Sequence, residues 1–286
     1  MIDLHIHSTH SDGIFTVAER VRQAKRRGVA LLALTDHDTV RGIPEFLRLA
    51  RAAKLRAVPG VEISTNYQGK GLHILGYGIR HRDPALVSFL RAQSEDRIRR
   101  AREAVRLLSA HGFRISFAAV RAEAGGNIGK PHIAKVILAS RENRRLLRER
   151  FGFTGGWSAL IDRFFDRAGQ LGYIPRKKVD TIRVIRLVRR AGGVPVLAHP
   201  MHPMHDYKSE AELVASLRVL SRAGLAGLEA ITPWTDARAK RHLLRLAEKF
   251  GLIVTAGTDN HEDKKLGISV SKKIYAQLLQ ALKHVR

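Results

Sequence analysis

The sequence predicts an α/β protein in which seven strands form a barrel and a helical segment interrupts the alternation of strands and helices. Short β-rich segments alternate with amphipathic helical segments at both ends of the chain, which is the pattern of an α/β fold. Between residues 82 and 178 helical patterns continue without a clear strand. Six of the seven predicted strands have helices nearby, so we expect a parallel barrel with one helical insertion.

The first part of the barrel is predicted to hold four strands and two helices. The first helix ends at Gly28, and glycine commonly terminates helices. The turn at residues 68–71 joins the third and fourth strands and is too short for a crossover helix. The predicted strands cover residues 2–7, 29–35, 56–63 and 72–77, and the helices cover residues 17–27 and 44–54.

The insertion and the last part of the barrel follow. A long basic helix is predicted at residues 87–110, with further insertion helices at residues 131–139 and 156–168. The strands resume at residues 194–198, 227–231 and 252–256, with helices from residue 181 and at residues 211–223, 235–250 and 271–285. We therefore expect a barrel domain of residues 1–81 and 179–286, with the insertion at 82–178 covering the active site.

Composition excludes several classes of protein. A chain of 286 residues allows one large domain with a sizeable insertion, and 44% hydrophobic residues exclude intrinsic disorder. Every apolar run is broken short of the roughly 18 residues of a transmembrane helix. Without cysteine there are no disulfides, zinc–thiolate sites or cysteine nucleophile. The N-terminus lacks the basic and apolar regions of a signal peptide, so we expect a cytoplasmic protein that binds no membrane.

The net charge of +25 favours anionic partners such as nucleotides, nucleic acid and phosphate esters. Residues 82–178 alone hold 21 basic and 9 acidic residues. An arginine-rich composition spread over solvated helix faces is the alternative explanation. Charge therefore predicts affinity for phosphates but no particular reaction.

Histidines and carboxylates follow several of the predicted strands. His5 and His7 are two residues apart at the end of a strand, so both side chains point to the same side. The carboxyl ends of barrel strands form the face on which active sites are built. His73 opens the fourth strand, and an antiparallel orientation of that strand would bring it to the same face. The candidate ligands are His5, His7, Asp12, His37, Glu62, His73, His199, Asp259 and His261.

This set of side chains predicts a metal centre. Each residue alone is as readily a turn former or a helix cap, but packing all of them together without a cation would be costly. Divalent ions relieve that cost. Imidazoles and carboxylates without thiolates suit Mn, Fe or Zn, and nine ligands are enough for two or three ions. Adjacent ions acidify a bridging water and polarise a phosphoryl oxygen, which predicts hydrolysis.

Five segments, in this order, resemble the motifs of the PHP superfamily, named for polymerase and histidinol phosphatase. The resemblance covers about residues 1–80 and 180–270, and it implies a distorted seven-stranded (β/α) barrel with a trinuclear metal site. The segments are residues 5–7 (His-Ile-His), 35–38 (Thr-Asp-His-Asp), 59–62 (Pro-Gly-Val-Glu), 198–200 (Ala-His-Pro) and 258–261 (Thr-Asp-Asn-His).

The resemblance also implies how the ligands divide among the metal ions. Glu62 would bridge two of the ions, and Asp12 stands where many members have histidine. We expect two or three divalent ions, with manganese favoured and iron or zinc as alternatives. The implied sets are His5, His7, Glu62 and Asp259 for the first ion, Glu62, His73 and His199 for the second, and Asp12, His37 and His261 for the third.

Within the superfamily, the chain is most similar to a subgroup with a helical insertion between strands four and five. Its members act as 3′,5′-nucleotide bisphosphate phosphatases or as 5′-to-3′ exonucleases on short RNA. The similarity lies in residues 129–132 (Gly-Lys-Pro-His) and 173–176 (Tyr-Ile-Pro-Arg). Lys130 stands where the subgroup commonly has arginine, so it keeps the charge but loses the bidentate fork. The candidate substrate contacts are Lys130, His132, Arg176 and His202, with His205 close to His202 in the chain.

The predicted function is hydrolysis of a phosphate monoester of a nucleotide. Adenosine 3′,5′-bisphosphate would give AMP and phosphate, and short RNA would be trimmed. The catalytic candidates are Asp36, His37 and Glu62. Asp36 would orient a ligand histidine, protonate the leaving oxygen or cap a turn. The alternatives are a phosphatase for histidinol phosphate or another small metabolite, a nuclease on longer nucleic acid, and a non-enzymatic nucleic-acid-binding protein with a structural metal. No obligate protein partner is predicted.

Overall fold

The computed structural model describes residues 1–202, 207, 209–262 and 265–283. The chain divides into two units. The barrel unit contains residues 1–8, 13–90 and the chain from residue 178 onward. The insertion unit contains residues 9–12 and 91–177. The boundary between the two units at residue 90 lies inside the helix Pro84–Ala110. That the insertion covers the active site stays a prediction.

Seven strands form one sheet in which each strand neighbours the next along the chain. The first three strands are parallel to one another, and so are the last three. The strands are β1 (Ile2–Asp3), β2 (Leu31–Leu34), β3 (Arg56–Tyr67), β4 (Lys70–Tyr77), β5 (Val194–Leu197), β6 (Gly227–Ile231) and β7 (Ile253–Ala256).

The expected parallel arrangement does not extend to β4, which runs antiparallel to both β3 and β5, the orientation that brings His73 to the ligand face. The reason is the tight turn between β3 and β4, where Gln68 and Gly69 have φ values of 51° and 89°. So short a connection reverses the chain, because parallel strands need a crossover of about a dozen residues.

The first and last strands come together, which nearly closes the barrel. The Leu4 amide donates to the Ala256 carbonyl at 3.0 Å, and Ile6 forms a parallel bridge with Asn260. Strand β1 is shorter than the predicted residues 2–7, because beyond Asp3 the chain forms only isolated pairings, with Ala256 and Asn260 on one side and Thr35 on the other. The predicted seven-stranded α/β barrel is thus confirmed as a nearly closed barrel.

Eleven helices occur in the described part of the chain. Helix α1 starts with a capping box in which Thr16 and Glu19 bond each other's backbone amides. No helix in the described ranges is long and apolar enough to cross a lipid bilayer. The helices are α1 (Val17–Arg26), α2 (Ile43–Ala52), α3 (Pro84–Ala110), α4 (Phe117–Ala124), α5 (Lys130–Ala139), α6 (Arg141–Phe151), α7 (Trp157–Phe164), α8 (Thr181–Arg190), α9 (Glu210–Arg222), α10 (Ala237–Lys249) and α11 (Lys272–Ala281).

The insertion unit has a hydrophobic core of its own, which includes Phe113, Phe153 and Phe164. Two of its helices, α4 and α6, were not predicted, although serine caps begin both. Helix α7 ends at Phe164 instead of residue 168, because the next residue has a φ of −131°. The last predicted helix runs to Ala281, and residue 285 lies outside the described residues.

Candidate metal centre

Eight of the nine predicted metal ligands lie in the barrel unit, at or near the carboxyl end of the parallel strands. His5 and His7 follow β1, His37 follows β2, and Asp259 and His261 follow β7. Glu62 lies within β3 and His73 within β4. Because β4 is antiparallel, the amino-terminal half of β4 reaches the same end of the barrel. His199 completes the set after β5.

Glu62 lies at the centre of these side chains and is fully buried. Its Oε1 is 2.7 Å from His73 Nδ1, and its Oε2 is 2.9 Å from His37 Nδ1. The histidine nitrogens within 3.3 Å of its two oxygens belong to His5, His7, His37, His73 and His199. A carboxylate with imidazoles around both oxygens is an arrangement that would suit metal binding, and bridging by Glu62 stays a prediction.

Asp259 brings a second carboxylate to His5 and His7. Its Oδ1 lies 3.1 Å from His7 Nε2 and 3.3 Å from His5 Nε2. Together with Glu62, these residues offer four ligand atoms that all lie within 4.8 Å of one another. His37, Glu62 and His73 form a further such group. The first group matches the first ligand set that the sequence resemblance implies, whereas the second group contains His37 in place of the His199 of the implied second set.

A third group of histidines lies beside the first. The rings of His7 and His261 stack with centroids 4.1 Å apart, and the His37 ring lies 4.6 Å from that of His7. Asp12 belongs to the insertion unit, where its carboxylate is next to Gly129. Its place as a metal ligand therefore stays a prediction from the sequence.

Two buried polar atoms of the site have no hydrogen-bond partner among the described residues, as is expected of metal ligands. His5 Nε2 and Glu62 Oε2 are buried 3.2 Å apart, and neither forms a hydrogen bond within the described residues. Buried polar atoms without partners are rare and costly, and a divalent cation would satisfy both. Nitrogen and oxygen donors without sulfur suit manganese, iron or zinc. The residues therefore fit divalent metal ions.

Burial and charge act against each other on the pKa values of the site. Burial raises the pKa of Glu62, but His37, His5 and His73 outweigh it and hold that pKa well below its usual range. Burial lowers the pKa of His5, but Glu229, Asp259 and Glu62 raise it well above its ordinary value. For His73 burial prevails over Glu62 and lowers the pKa to about 4. At neutral pH and without metal, these directions favour an ionised Glu62, a neutral His73 and a protonated His5.

The structure adds Glu229, which the sequence analysis missed. Glu229 lies in β6, is fully buried, and accepts a hydrogen bond from the His199 amide at 2.9 Å. Its two oxygens lie 3.1 and 3.2 Å from His5 Nδ1. Carboxylates commonly fix metal-binding histidines in this way. An acidic residue in an otherwise apolar strand was the signal that could have revealed it.

Arg20 is a second missed residue. It lies in α1 and is fully buried, although basic residues on amphipathic helices usually face solvent. Its Nε donates to the His7 carbonyl at 2.8 Å, and its Nη2 donates to the Asn260 carbonyl at 2.7 Å. Arg20 thereby joins the segments that carry the ligands after β1 and β7. Nothing in the sequence distinguishes it from the other arginines of α1.

Asp36 is buried beside the centre and joins two of the ligand-bearing segments. Its carboxylate accepts hydrogen bonds from the Ser8 amide and the Ser8 hydroxyl, both at 2.7 Å. This contact holds the segment after β1 against the segment after β2. The catalytic role of Asp36 stays a prediction.

Three of the predicted substrate contacts lie in the insertion unit. Lys130 Nζ lies 2.6 Å from Asp166 Oδ1. Burial lowers the Lys130 pKa, with Asp166 opposing and the cations of Arg176 and Arg100 reinforcing that effect. His132 accepts a hydrogen bond from the Gly129 amide through its Nδ1 at the start of α5. Lys130 and Arg176 therefore belong to one group of cations, whereas one nitrogen of His132 serves to cap a helix.

His202, the fourth predicted substrate contact, lies in the barrel unit. Its amide donates to the His199 carbonyl at 2.8 Å, and the two rings are 5.5 Å apart. His202 is thus adjacent to a predicted metal ligand. His205 lies outside the described residues.

Comparisons with known proteins agree with this geometry. A model described as "PHP domain" matches residues 3–191. The chain is 34% identical over 265 residues to the 5′-3′ exoribonuclease Rnm of Salmonella typhimurium, covering 91% of this chain and 85% of that protein. It is 31% identical over 267 residues to the 3′,5′-nucleoside bisphosphate phosphatase of Chromobacterium violaceum, covering 91% and 87%. A solved amidohydrolase structure from Chromobacterium violaceum matches with a TM-score of 0.83 and 27% identity, covering 98% and 96%.

The barrel, its clustered histidines and carboxylates, and these similarities define a metal-dependent hydrolase that acts on phosphoester bonds. This conclusion argues against the alternative of a non-enzymatic nucleic-acid-binding protein. The chain belongs to the PHP family, as its sequence motifs indicated.

Proposed function

We propose that the protein removes one phosphate from nucleoside 3′,5′-bisphosphates and also trims short RNA from the 5′ end. Adenosine 3′,5′-bisphosphate would give AMP and phosphate. The observation that carries this proposal is Glu62, whose two oxygens face five histidine nitrogens at distances up to 3.3 Å. The nucleotide substrate is supported by the names of the relatives in Salmonella and Chromobacterium.

The proposal includes two or three divalent ions, with manganese favoured and iron or zinc as alternatives. Bound ions of this kind would acidify water and neutralise charge on a phosphoryl group. Glu62 would be shared between two sites. The proposed ligand sets are His5, His7, Glu62 and Asp259; Glu62, His73 and His199; and Asp12, His37 and His261.

The chain's own residues would prepare this centre. Glu229 keeps the Nδ1 side of His5 occupied, so its Nε2 is directed toward Glu62 and Asp259. Asp36 accepts two hydrogen bonds from Ser8, an arrangement that suits a carboxylate more than a proton donor. We therefore assign Asp36 a positioning role in preference to protonation of the leaving oxygen.

The cations of the insertion unit would bind the second phosphate of a bisphosphate. Lys130, Arg100 and Arg176 are close enough to lower the Lys130 pKa together with burial. Asp166 and Asp96 pair with Lys130 and Arg100, and an anionic phosphate would add to this compensation of the cations. His132 and His202 remain further proposed contacts.

The test is phosphate release from a substrate panel in the presence of Mn²⁺. The panel contains adenosine 3′,5′-bisphosphate, AMP, histidinol phosphate and a 5′-phosphorylated tetranucleotide of RNA. Preference for the bisphosphate over AMP, with shortening of the RNA, is the expected result. Turnover of histidinol phosphate alone would overturn the nucleotide assignment and support the alternative of a small-metabolite phosphatase. The Glu62→Gln protein serves as the control for contaminating phosphatases.

A further inference from the structure

We propose that Trp234 is a stacking platform for the base of the nucleotide substrate. The inference rests on the proposed function, because a base is present only if the substrate is a nucleotide. Trp234 lies in the segment between β6 and α10, and 46% of its surface is exposed. Among the described residues, Trp234 is the only aromatic side chain that belongs to the exposed large hydrophobic residues.

Trp234 is connected to the metal centre by ring contacts within the barrel unit. The ring centroid of His202 lies 5.5 Å from that of His199, a predicted metal ligand. The Trp234 ring lies 6.2 Å from that of His202, at an interplanar angle of 80°. Because these two distances add, the Trp234 ring centroid lies no more than about 12 Å from that of His199. A nucleotide whose phosphate lies at the metal centre carries its base one sugar away, in this range.

The segment that carries Trp234 is anchored on both sides of the indole. The hydroxyl groups of Thr232 and Thr235 lie 2.6 Å apart, within hydrogen-bonding distance. The Asp236 carboxylate accepts a hydrogen bond from the Ala239 amide at 2.7 Å and caps α10. The backbone that carries the indole is therefore ordered before any ligand binds, which lowers the entropic cost of stacking.

The chemistry of the surroundings favours a nucleobase as the occupant. Met201, which precedes His202 in the chain, is 49% exposed, so a second apolar side chain lies close in sequence to the ring contacts. Aromatic side chains stack on any base, because every base has a π face. A platform of this kind would bind the substrate through its base without selecting one base, as suits an enzyme that also trims RNA.

The first experiment measures base binding directly. The chain has two tryptophans, so Trp157→Phe leaves Trp234 as the only indole fluorophore. AMP and ribose 5-phosphate, which has the same phosphate but no base, are titrated into this metal-loaded variant. We expect saturable quenching by AMP and no quenching by ribose 5-phosphate. Equal responses to both ligands, or none to either, would overturn the proposal.

The second experiment separates base binding from catalysis. Trp234→Ala should raise KM for adenosine 3′,5′-bisphosphate about tenfold, the order of one lost base stack, while kcat changes little. KM for ribose 3,5-bisphosphate should stay as in the unmodified protein. Trp234→Phe should restore most of the affinity, which excludes a folding defect as the cause. A KM that does not depend on the residue at position 234 would overturn the proposal.

The experiments distinguish a failure of the Trp234 platform from a failure of the proposed nucleotide hydrolysis. If bisphosphates are hydrolysed but Trp234→Ala changes no KM, the proposed function stands and the platform does not. If no nucleotide is hydrolysed, the proposed function fails, and the AMP titration still decides whether Trp234 binds a base. Self-association that disappears in Trp234→Ala, without quenching by AMP, would show that Trp234 contacts a second copy of the chain and would overturn the proposal.

Discussion

Both carboxylate oxygens of Glu229 lie within hydrogen-bonding distance of His5 Nδ1, at 3.1 and 3.2 Å. The contact fixes which nitrogen of His5 is directed toward the cluster, since Nε2 then lies 3.2 Å from Glu62. The same carboxylate accepts a hydrogen bond from the backbone amide of His199. One buried acid on β6 therefore contacts the ring of His5 and the backbone of His199, which belong to two of the proposed ligand sets.

Replacing Glu229 should weaken metal binding. Glu229→Gln keeps the shape of the side chain but removes the negative charge that supports the His5 imidazole. We expect a loss of about 10- to 100-fold in metal affinity, the usual effect of removing a partner of a ligand. Isothermal titration of the metal-free protein with Mn²⁺ measures it. Glu248→Gln on the exposed face of α10 is the control, and equal affinities for both variants would contradict the positioning role.

Glu62→Gln should have a larger effect, because Glu62 would contact two ions directly. We expect at least one fewer metal ion per chain. Phosphate release should fall by more than about 100-fold, a larger loss than the removal of a residue that only orients a metal ligand produces. Elemental analysis of the purified variant gives the metal content, and circular dichroism checks that the barrel still folds. A full complement of metal in a folded Glu62→Gln protein would refute the bridging role.

Metal binding at pH 7 should release protons. Burial lowers the pKa of His5 and His199, but the carboxylates of the site outweigh it and raise the His5 pKa well above its ordinary value and the His199 pKa above it, so protons compete with metal for these imidazoles. Only a neutral imidazole coordinates, so metal affinity should rise with pH until these groups have lost their protons. His73 adds no proton, because its pKa is about 4. Calorimetric titrations in buffers of different ionisation enthalpy measure the number released, and a value of zero would contradict this assignment.

Arg20 should stabilise the barrel through the two backbone carbonyls that it binds. Arg20→Met leaves the buried carbonyls of His7 and Asn260 without these donors, and we expect a loss of about 3 kcal/mol in the free energy of unfolding. Urea unfolding of the metal-free protein measures the loss. Arg22, which is exposed on the same helix, provides the control, since Arg22→Met should change stability by less than about 0.5 kcal/mol. Similar values for both variants would remove the basis for this role.

The sequence predicted the barrel well, because its strands are short apolar runs separated by clear helical periodicity. Strands β5, β6 and β7 begin and end within a residue or so of their predicted limits. The direction of β4 was harder to predict, since an apolar run looks the same in both directions, and only the length of the turn at Gln68 and Gly69 distinguishes them. Of the two serine-capped helices of the insertion, α6 was missed because its apolar residues are few among many arginines, and α4 because it is only 8 residues long.

The candidate site was predictable to the extent that its residues occur in recognisable segments after strands. The clustering of His5, His7 and Asp259 follows from the closure of the barrel between β1 and β7. Glu229 and Arg20 lie outside such segments, and only Glu229, as an acidic residue in an apolar strand, left a local signal. Their function depends on burial and on contacts between residues 224 and 240 positions apart in the chain, and no local pattern reports such contacts.

Lys130 should contribute to substrate binding more than to the chemical step. Lys130→Met removes the ammonium group, whose Nζ lies 2.6 Å from Asp166 Oδ1. We expect KM for adenosine 3′,5′-bisphosphate to rise about tenfold, the order of one lost charge-assisted hydrogen bond. Lys130→Arg should retain or improve the affinity, because a guanidinium binds phosphate through two parallel hydrogen bonds. Steady-state kinetics of both variants test this, with the exposed Arg141→Met as a control for general loss of positive charge. If Arg141→Met raises KM as much as Lys130→Met does, the contribution is the net charge of the insertion and not a specific contact at residue 130.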